Sequence, residues 1–288
     1  VTAEPSAIAP ATRLRCRAIA ENDLEGLADF LVKGFPLTQR AYWTRGFSRW
    51  NHLPAVEGMP RYGYMLDAGT GPVGVILLLS SQRDGQIVAN LSSWYVEPEW
   101  RTHSTLLIAV ATKLKHVTYT NVSPAPHTWR TLEAQNFIPY NFGRSAVFAL
   151  PGRGRVSQTI PDDLPEAQLL RDHRALGWIS LVVEKDGLVS PIVLRPRRLD
   201  RPPVPMMDVM YCRSPEDFAR CAPALARHFL TRSLGFLIDG DVPSSNFGPS
   251  SNFKFWGHYV EGKERRYYKG PWRPRLGDLA YTEKAIFE

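Results

Sequence analysis

The chain has 288 residues, 44% of them hydrophobic and 22% charged, with a formal net charge of +7. That composition excludes fibrous and low-complexity classes, and the length is comfortable for two cores of ordinary domain size. The longest apolar run, Val73 to Leu79, is strand-sized and far short of the roughly 20 residues a membrane-spanning helix needs.

The positive charge suits an anionic ligand such as a nucleotide or an acyl-thioester carrier, and it would also suit RNA. The lysines and arginines are dispersed. Their densest group, Arg195-Pro196-Arg197-Arg198 with Arg201, reads as a solvated or phosphate-contacting loop. Cys16, Cys212 and Cys221 are far apart and have no metal-ligand spacing, so free buried thiols, no metal site and a cytoplasmic setting are expected. Residues 1–11 lack the basic start and apolar block of a secretory signal and read as a disordered lead-in.

Arg13–Ala18 alternates weakly, as a first strand would. Asn22-Asp23 then caps a helix with Leu24, Leu27, Phe30 and Leu31 at helical spacing, stopped by Gly34 and Pro36. A second helix over Leu37–Asn51 carries Tyr42, Trp43, Phe47 and Trp50, a stripe suited to a core or to a substrate channel. Strands follow over Tyr62–Ala68, Val73–Ser80 and Ile87–Val96, joined at hairpin spacing. A helix from Ser104 to Lys115 leads to a strand, His116–Val122, placed to run parallel to the one before it. A short helix ends at Ala134, and Phe137–Tyr140 and Ser145–Leu150 read as a closing pair of strands.

Residues 151–161 read as a linker. Beyond it the pattern recurs: a helix over Leu164–Leu176, a hairpin of Trp178–Glu184 and Val189–Leu194, and a strand over Met206–Tyr211. A helix capped by Ser214 follows, then a strand over Leu234–Ile238, a polar excursion over Gly240–Phe255 suited to a lid or a loop, and final strands around Tyr259, Tyr267 and Leu279–Phe287. The expected fold class is therefore mixed α/β, with two similar halves, 12–150 and 162–288, each a mixed sheet flanked by helices.

The stretch Ser92–Leu114 (SSWYVEPEWRTHSTLLIAVATKL) joins strand to helix through Arg101 and small polar residues. A helix start leaves about four backbone N–H groups unpaired and carries partial positive charge, so a tight turn can aim them at a pyrophosphate. With Val96-Glu97-Pro98-Glu99-Trp100-Arg101, the helix from Ser104 and the later Leu132–Phe137 (LEAQNF), residues 12–150 resemble the GNAT family of acyl-CoA N-acyltransferases. The whole chain is similar to tandem members in which one half is usually active.

The resemblance implies acetyl-CoA or another acyl-CoA as co-substrate. Its thioester arm would insert beside the strand near Val96, and its pyrophosphate would lie at Arg101, Thr102, His103, Ser104 and Thr105. The acceptor would be a small-molecule or peptide amine, on a protein that is a monomer or homodimer. Several family positions differ here. Thr102, Ser104 and Leu106 stand where glycines are usual, and Leu132 where a tyrosine acid is common. Asn90 stands near the usual general-base carboxylate and cannot take a proton at neutral pH. Asn136 replaces a glycine with a residue that tolerates the same left-handed conformation.

Glu97, or a water held by Asn90 and Ser92, is then the candidate base, and Tyr140 the candidate acid. Positioning alone can also carry amine attack on a thioester. The second half joins strand to helix through Tyr211-Cys212-Arg213-Ser214-Pro215, which lacks such a turn and reads as non-catalytic. Two other functions fit the same fold: a Fem-like transferase using aminoacyl-tRNA, and a non-catalytic CoA-binding or regulatory module.

Overall fold

A computed structural model describes residues 14–198, 204–240 and 256–288, with backbone alone over 256–263. The lead-in over 1–11, Arg201 and the excursion over 241–255 lie outside the described residues. The first half runs β1 (Arg15–Ala18), α1 (Leu24–Gly34), α2 (Arg40–Asn51), β2 (Gly63–Asp67), β3 (Pro72–Arg83), β4 (Gln86–Val96), α3 (Ser104–Ala111), β5 (Thr118–Asn121), α4 (Trp129–Ala134) and β6 (Ile138–Phe148). The second runs β7 (Arg155–Ser157), α5 (Ala167–Ala175), β8 (Ile179–Lys185), β9 (Leu188–Arg198), β10 (Pro205–Tyr211), α6 (Pro215–His228), β11 (Gly235–Gly240), β12 (Trp256–Lys269) and α7 (Glu283–Ile286).

All twelve strands form one sheet in the order β1-β2-β3-β4-β5-β12-β6-β11-β10-β9-β8-β7. Read from either edge, the order is five strands of one half and then the last strand of the other. The halves thus exchange their final strands: β12 pairs with β5, and β6 pairs with β11. Among the described strands only β4–β5 and β10–β11 are parallel, each bridged by a helix, as a parallel crossover requires.

Side-chain alternation sorts the sheet into cores. Val75, Leu77 and Leu79 of β3 face α1, α2 and the C-terminal segment, in a core that also takes Val193 and Met210 from the second half. Ile76, Leu78, Ala89 and Leu91 face the other way, onto Leu107 and Ile108 of α3. A separate core under α6 gathers Leu181, Ile192, Val209 and Phe218. One face of the sheet therefore carries a single core shared by both halves, and the other carries two.

Three expectations need correction. Phe137–Tyr140 and Ser145–Leu150 are not two strands but parts of one, β6, because its middle is held by β12 and β11 of the other half. The stretch 151–161 contains β7, which pairs with β8 at the sheet's edge. Leu279–Phe287 holds no strand but the one-turn α7, whose four residues are all buried between the halves.

Candidate functional site

β4 and β5 stay paired for three registers, the last being Asn90 with Thr120. Beyond that point they part. β4 also carries a one-residue bulge against β3: its partners step from Leu77–Ser92 to Val75–Tyr95, and Ser93 takes a left-handed φ of 51°. From Ser92 to Val96, among the described residues, no strand lies on the β5 side of β4. Such an edge presents backbone donors and acceptors to which an extended, amide-bearing ligand can add as a strand.

At the point of divergence sits a carboxyl from the other end of the chain. Asn90 Nδ2 donates to Glu283 Oε2, and Ser123 Oγ donates to Glu283 Oε1. Thr120 Oγ1 donates in turn to Asn90 Oδ1 at 3.2 Å. Glu283 is only 7% exposed. Burial raises its pKa above the ordinary glutamate value, opposed by the hydrogen bonds from Ser123 and Asn90 and by the charge of Lys284. Ser123 is itself exposed, so its hydroxyl links the buried carboxyl to the surface. Sequence reasoning missed Glu283 because 193 positions separate it from Asn90. Its local signal is slight: a short polar run, Thr282-Glu283-Lys284, between apolar residues of Leu279–Phe287.

On this face a cleft of about 580 Å³ opens between the halves. Its lining includes Thr120, Val122, Tyr140, Asp172, Tyr281 and Thr282, the last adjacent to Glu283. Arg83 closes an ion pair with Asp278 at 3.0 Å on its wall. Tyr140 is 1% exposed, and burial raises its phenol pKa well above the usual value, so it is protonated at neutral pH. It lies three strands from β4, about 14 Å between backbones.

Solved structures share this architecture. A GCN5-related N-acetyltransferase from Kribbella flavida matches at 15% identity over 90% of this chain and 71% of its own, with a TM-score of 0.55. A putative acetyltransferase from Pyrococcus horikoshii matches at 11% identity over 97% of this chain and 96% of its own, with a TM-score of 0.54. A GCN5-related N-acetyltransferase from Anabaena variabilis matches at 10% identity over 89% and 72%, with a TM-score of 0.53. The fold is that of the GCN5-related N-acetyltransferases. No protein-family model matches the sequence, and no curated protein matches it.

Within this N-acetyltransferase fold, the turn expected to aim helix-start amides at a pyrophosphate is itself helical. Pro98–His103 forms a 3-10 helix that runs directly into α3. Trp100 N–H donates to Glu97 O at 2.9 Å, and Ser104 N–H donates to Arg101 O, so amides that would face an anion already have partners. With Thr102 and Ser104 in place of glycine, the turn follows the backbone path open to any L-residue. Arg101, Thr102 and Thr105 are exposed, Ser104 is half-buried, and Thr102 Oγ1 meets His103 Nδ1 at 3.2 Å. His103 packs on Trp100 at 5.8 Å between ring centroids. Among the described residues, Arg101 has no ion-pair partner.

Val96 is buried at the end of the open edge. Glu97 pairs with Lys33 at 3.6 Å, and seven residues of extended chain set it roughly 20 Å from Asn90. The structure therefore joins Asn90 to Glu283 and, through Thr120, to the cleft wall, but does not bring Glu97 to them. Asn136 has the left-handed φ of 63° that its replacement of a glycine requires.

Proposed function

We propose that the chain is an N-acyltransferase that moves an acetyl or other short acyl group from an acyl-CoA to an amine. The observation that carries this reading is the Glu283 carboxyl, buried where β4 and β5 part, between an open strand edge and a polar cleft. The edge from Ser92 to Val96 takes the donor's amide-bearing arm, which brings the thioester carbonyl to the divergence. The cleft takes the amine, whose nitrogen attacks that carbonyl. The N–C bond forms, the C–S bond breaks, and the thiolate leaves to be protonated by solvent.

The proton lost by the amine goes to Glu283, through Ser123 Oγ. A raised carboxyl pKa suits that task, because a base works best when its pKa approaches the working pH. Asn90 takes no proton. It fixes the carboxyl by donating to Oε2, and Thr120 fixes Asn90. Tyr140, a neutral phenol on the cleft floor, shapes the acceptor site and is available only as a donor. The pyrophosphate is held by the side chains of Arg101 and His103 rather than by a ring of amides. The cleft's volume admits a small amine or the end of a peptide.

Thiol release from acetyl-CoA across a panel of small amines and peptide N-termini tests this function. Release that depends on the amine is expected. No release with any amine, together with no heat of donor binding in calorimetry, would remove the reading.

A further inference from the structure

The second half repeats the divergence of the first, and there the chain itself fills the gap. β10 and β11 are parallel for three registers ending at Asp208–Leu237, as β4 and β5 end at Asn90–Thr120. β10 also bears a one-residue bulge against β9, between Val209 and Tyr211. One edge of Tyr211 is taken by Val193 of β9, so its bridge to Asp278 lies on the other edge, the one β11 has left. Cys212 N–H donates to Gly277 O at 3.0 Å, and Leu279 N–H donates to Met210 O at 2.8 Å.

Residues 277–279 thus make an antiparallel bridge on an edge whose counterpart in the first half is unpaired among the described residues. The contact is built for glycine: Gly277 has φ of 79°, and a Cβ there would collide with Cys212 Sγ. Asp208, in the register of Asn90, is 1% exposed and clamped by Arg144 at 2.9 Å and Arg195 at 2.7 Å. It is an ionised carboxylate spent on an ion-pair network.

The same segment leads stiffly to Glu283. Ala280 N–H donates to Asp278 Oδ1 at 3.2 Å, and Tyr281 N–H to His173 Nε2 at 3.3 Å. Thr282 Oγ1 donates back to Leu279 O at 2.7 Å, which ties the residue before Glu283 to the bridged segment.

We propose that residues 277–279 occupy the second half's donor slot in the manner of a donor arm, leaving one donor site per chain, and that this anchorage positions Glu283 for the first half. The one-donor statement rests on the function proposed above; the anchorage is tested without any donor. The second half is then neither a spare catalyst nor a bystander. Its filled slot is the footing of a strap that carries the base to the other half, and Gly277 is a positioning residue.

Two sets of measurements test this. In the ligand-free protein, amide hydrogen exchange at Cys212 and Leu279 is slow, and Cys16 is the only thiol labelled by an aromatic disulfide under native conditions. Gly277→Val frees Cys212 for labelling while Cys221 stays protected. Fast exchange at Cys212 and Leu279 in the unaltered chain, which needs no variant to fold, overturns the anchorage. With acetyl-CoA present, calorimetry gives one donor per chain, and protection appears over Ser92–Val96 and not over β10. Two donors per chain, or protection on β10, overturns the one-site statement. No donor bound at all removes the transferase reading and the one-site statement with it, while exchange and labelling still decide the anchorage. Gly277→Val also lowers kcat about tenfold or more and abolishes the acid limb of its pH profile, with the donor KM unchanged. A pH profile of unchanged shape would show that the segment does not position Glu283.

Discussion

Asn90 Nδ2 donates to the carboxylate of Glu283 across 193 positions of chain, at the point where two parallel strands part. Neither residue makes a site alone. Asn90 cannot exchange a proton, and an isolated buried carboxyl would have no fixed direction. Joined, and tied to Ser123 on the surface, they give a carboxyl that is oriented, raised in pKa and connected to solvent, as the proposed base requires. On the proposed function, the segment carrying Glu283 is therefore part of the first half's site.

The strap that carries Glu283 is pH-sensitive through His173. The ring is fully buried; Nδ1–H donates to Leu169 O at 2.8 Å and Nε2 accepts from Tyr281 N–H at 3.3 Å. Burial first, then the Arg83 charge, lowers its pKa below the ordinary 6.5, against the Leu169 bond and the nearby Asp172 and Asp278. The neutral form is thus favoured by folding. Its stabilising contribution is complete above pH 6.5 and is lost as the pH falls below that value towards the lowered folded-state pKa. Melting temperatures across pH 5 to 8 should decline on the acid side. In His173→Gln that slope should flatten, at a general cost of about 1–3 kcal/mol from the lost hydrogen bonds.

Arg101 should matter only for donors that carry phosphate. Because the amides of the 3-10 helix are already bonded, its exposed guanidinium offers at most about 1 kcal/mol. Arg101→Ala should weaken acetyl-CoA binding about fivefold and leave an acetyl-pantetheine thioester unaffected. Equal loss for both donors would place the pyrophosphate elsewhere.

The chain's ending is held by Phe287, whose ring lies 5.7 Å from Trp43 and from Phe47 and 6.1 Å from Trp50, between centroids. Gly46 lets the ring approach, since a Cβ there would strike it. Phe287→Ala should cost about 3–5 kcal/mol in chemical denaturation, the usual loss for an emptied aromatic site. It should also slow amine-dependent thiol release, because the strap loosens. Full stability in the variant would mean that the aromatic stripe of α2 packs without it.

Much of this was legible locally. The β4–turn–α3 run, the hairpins and the Ser214 cap, which accepts Asp217 N–H at 3.1 Å, depend on neighbours in sequence. The exchange of β6 and β12 was not legible, because Asn141–Arg144 has few strand signals of its own and is held extended by partners about a hundred residues away. The linker 151–161 hid β7 for the same reason: an edge strand of three residues has one partner and little apolar pattern. Asn90 stood out as a position lacking its carboxylate. Only the fold supplies the replacement, from a segment, Leu279–Phe287, that reads as a strand in the sequence.

The most direct test of the account is the pH dependence of kcat/KM for amine-dependent thiol release from acetyl-CoA, in the unaltered chain and in Glu283→Gln. General-base removal costs on the order of a hundredfold or more. The unaltered chain should show an acid limb set by a carboxyl titrating above the ordinary glutamate value. Glu283→Gln, which keeps the shape of the side chain, should lose about a hundredfold in rate and lose that limb. Equal rates with the same acid limb in both proteins would contradict the role given to Glu283.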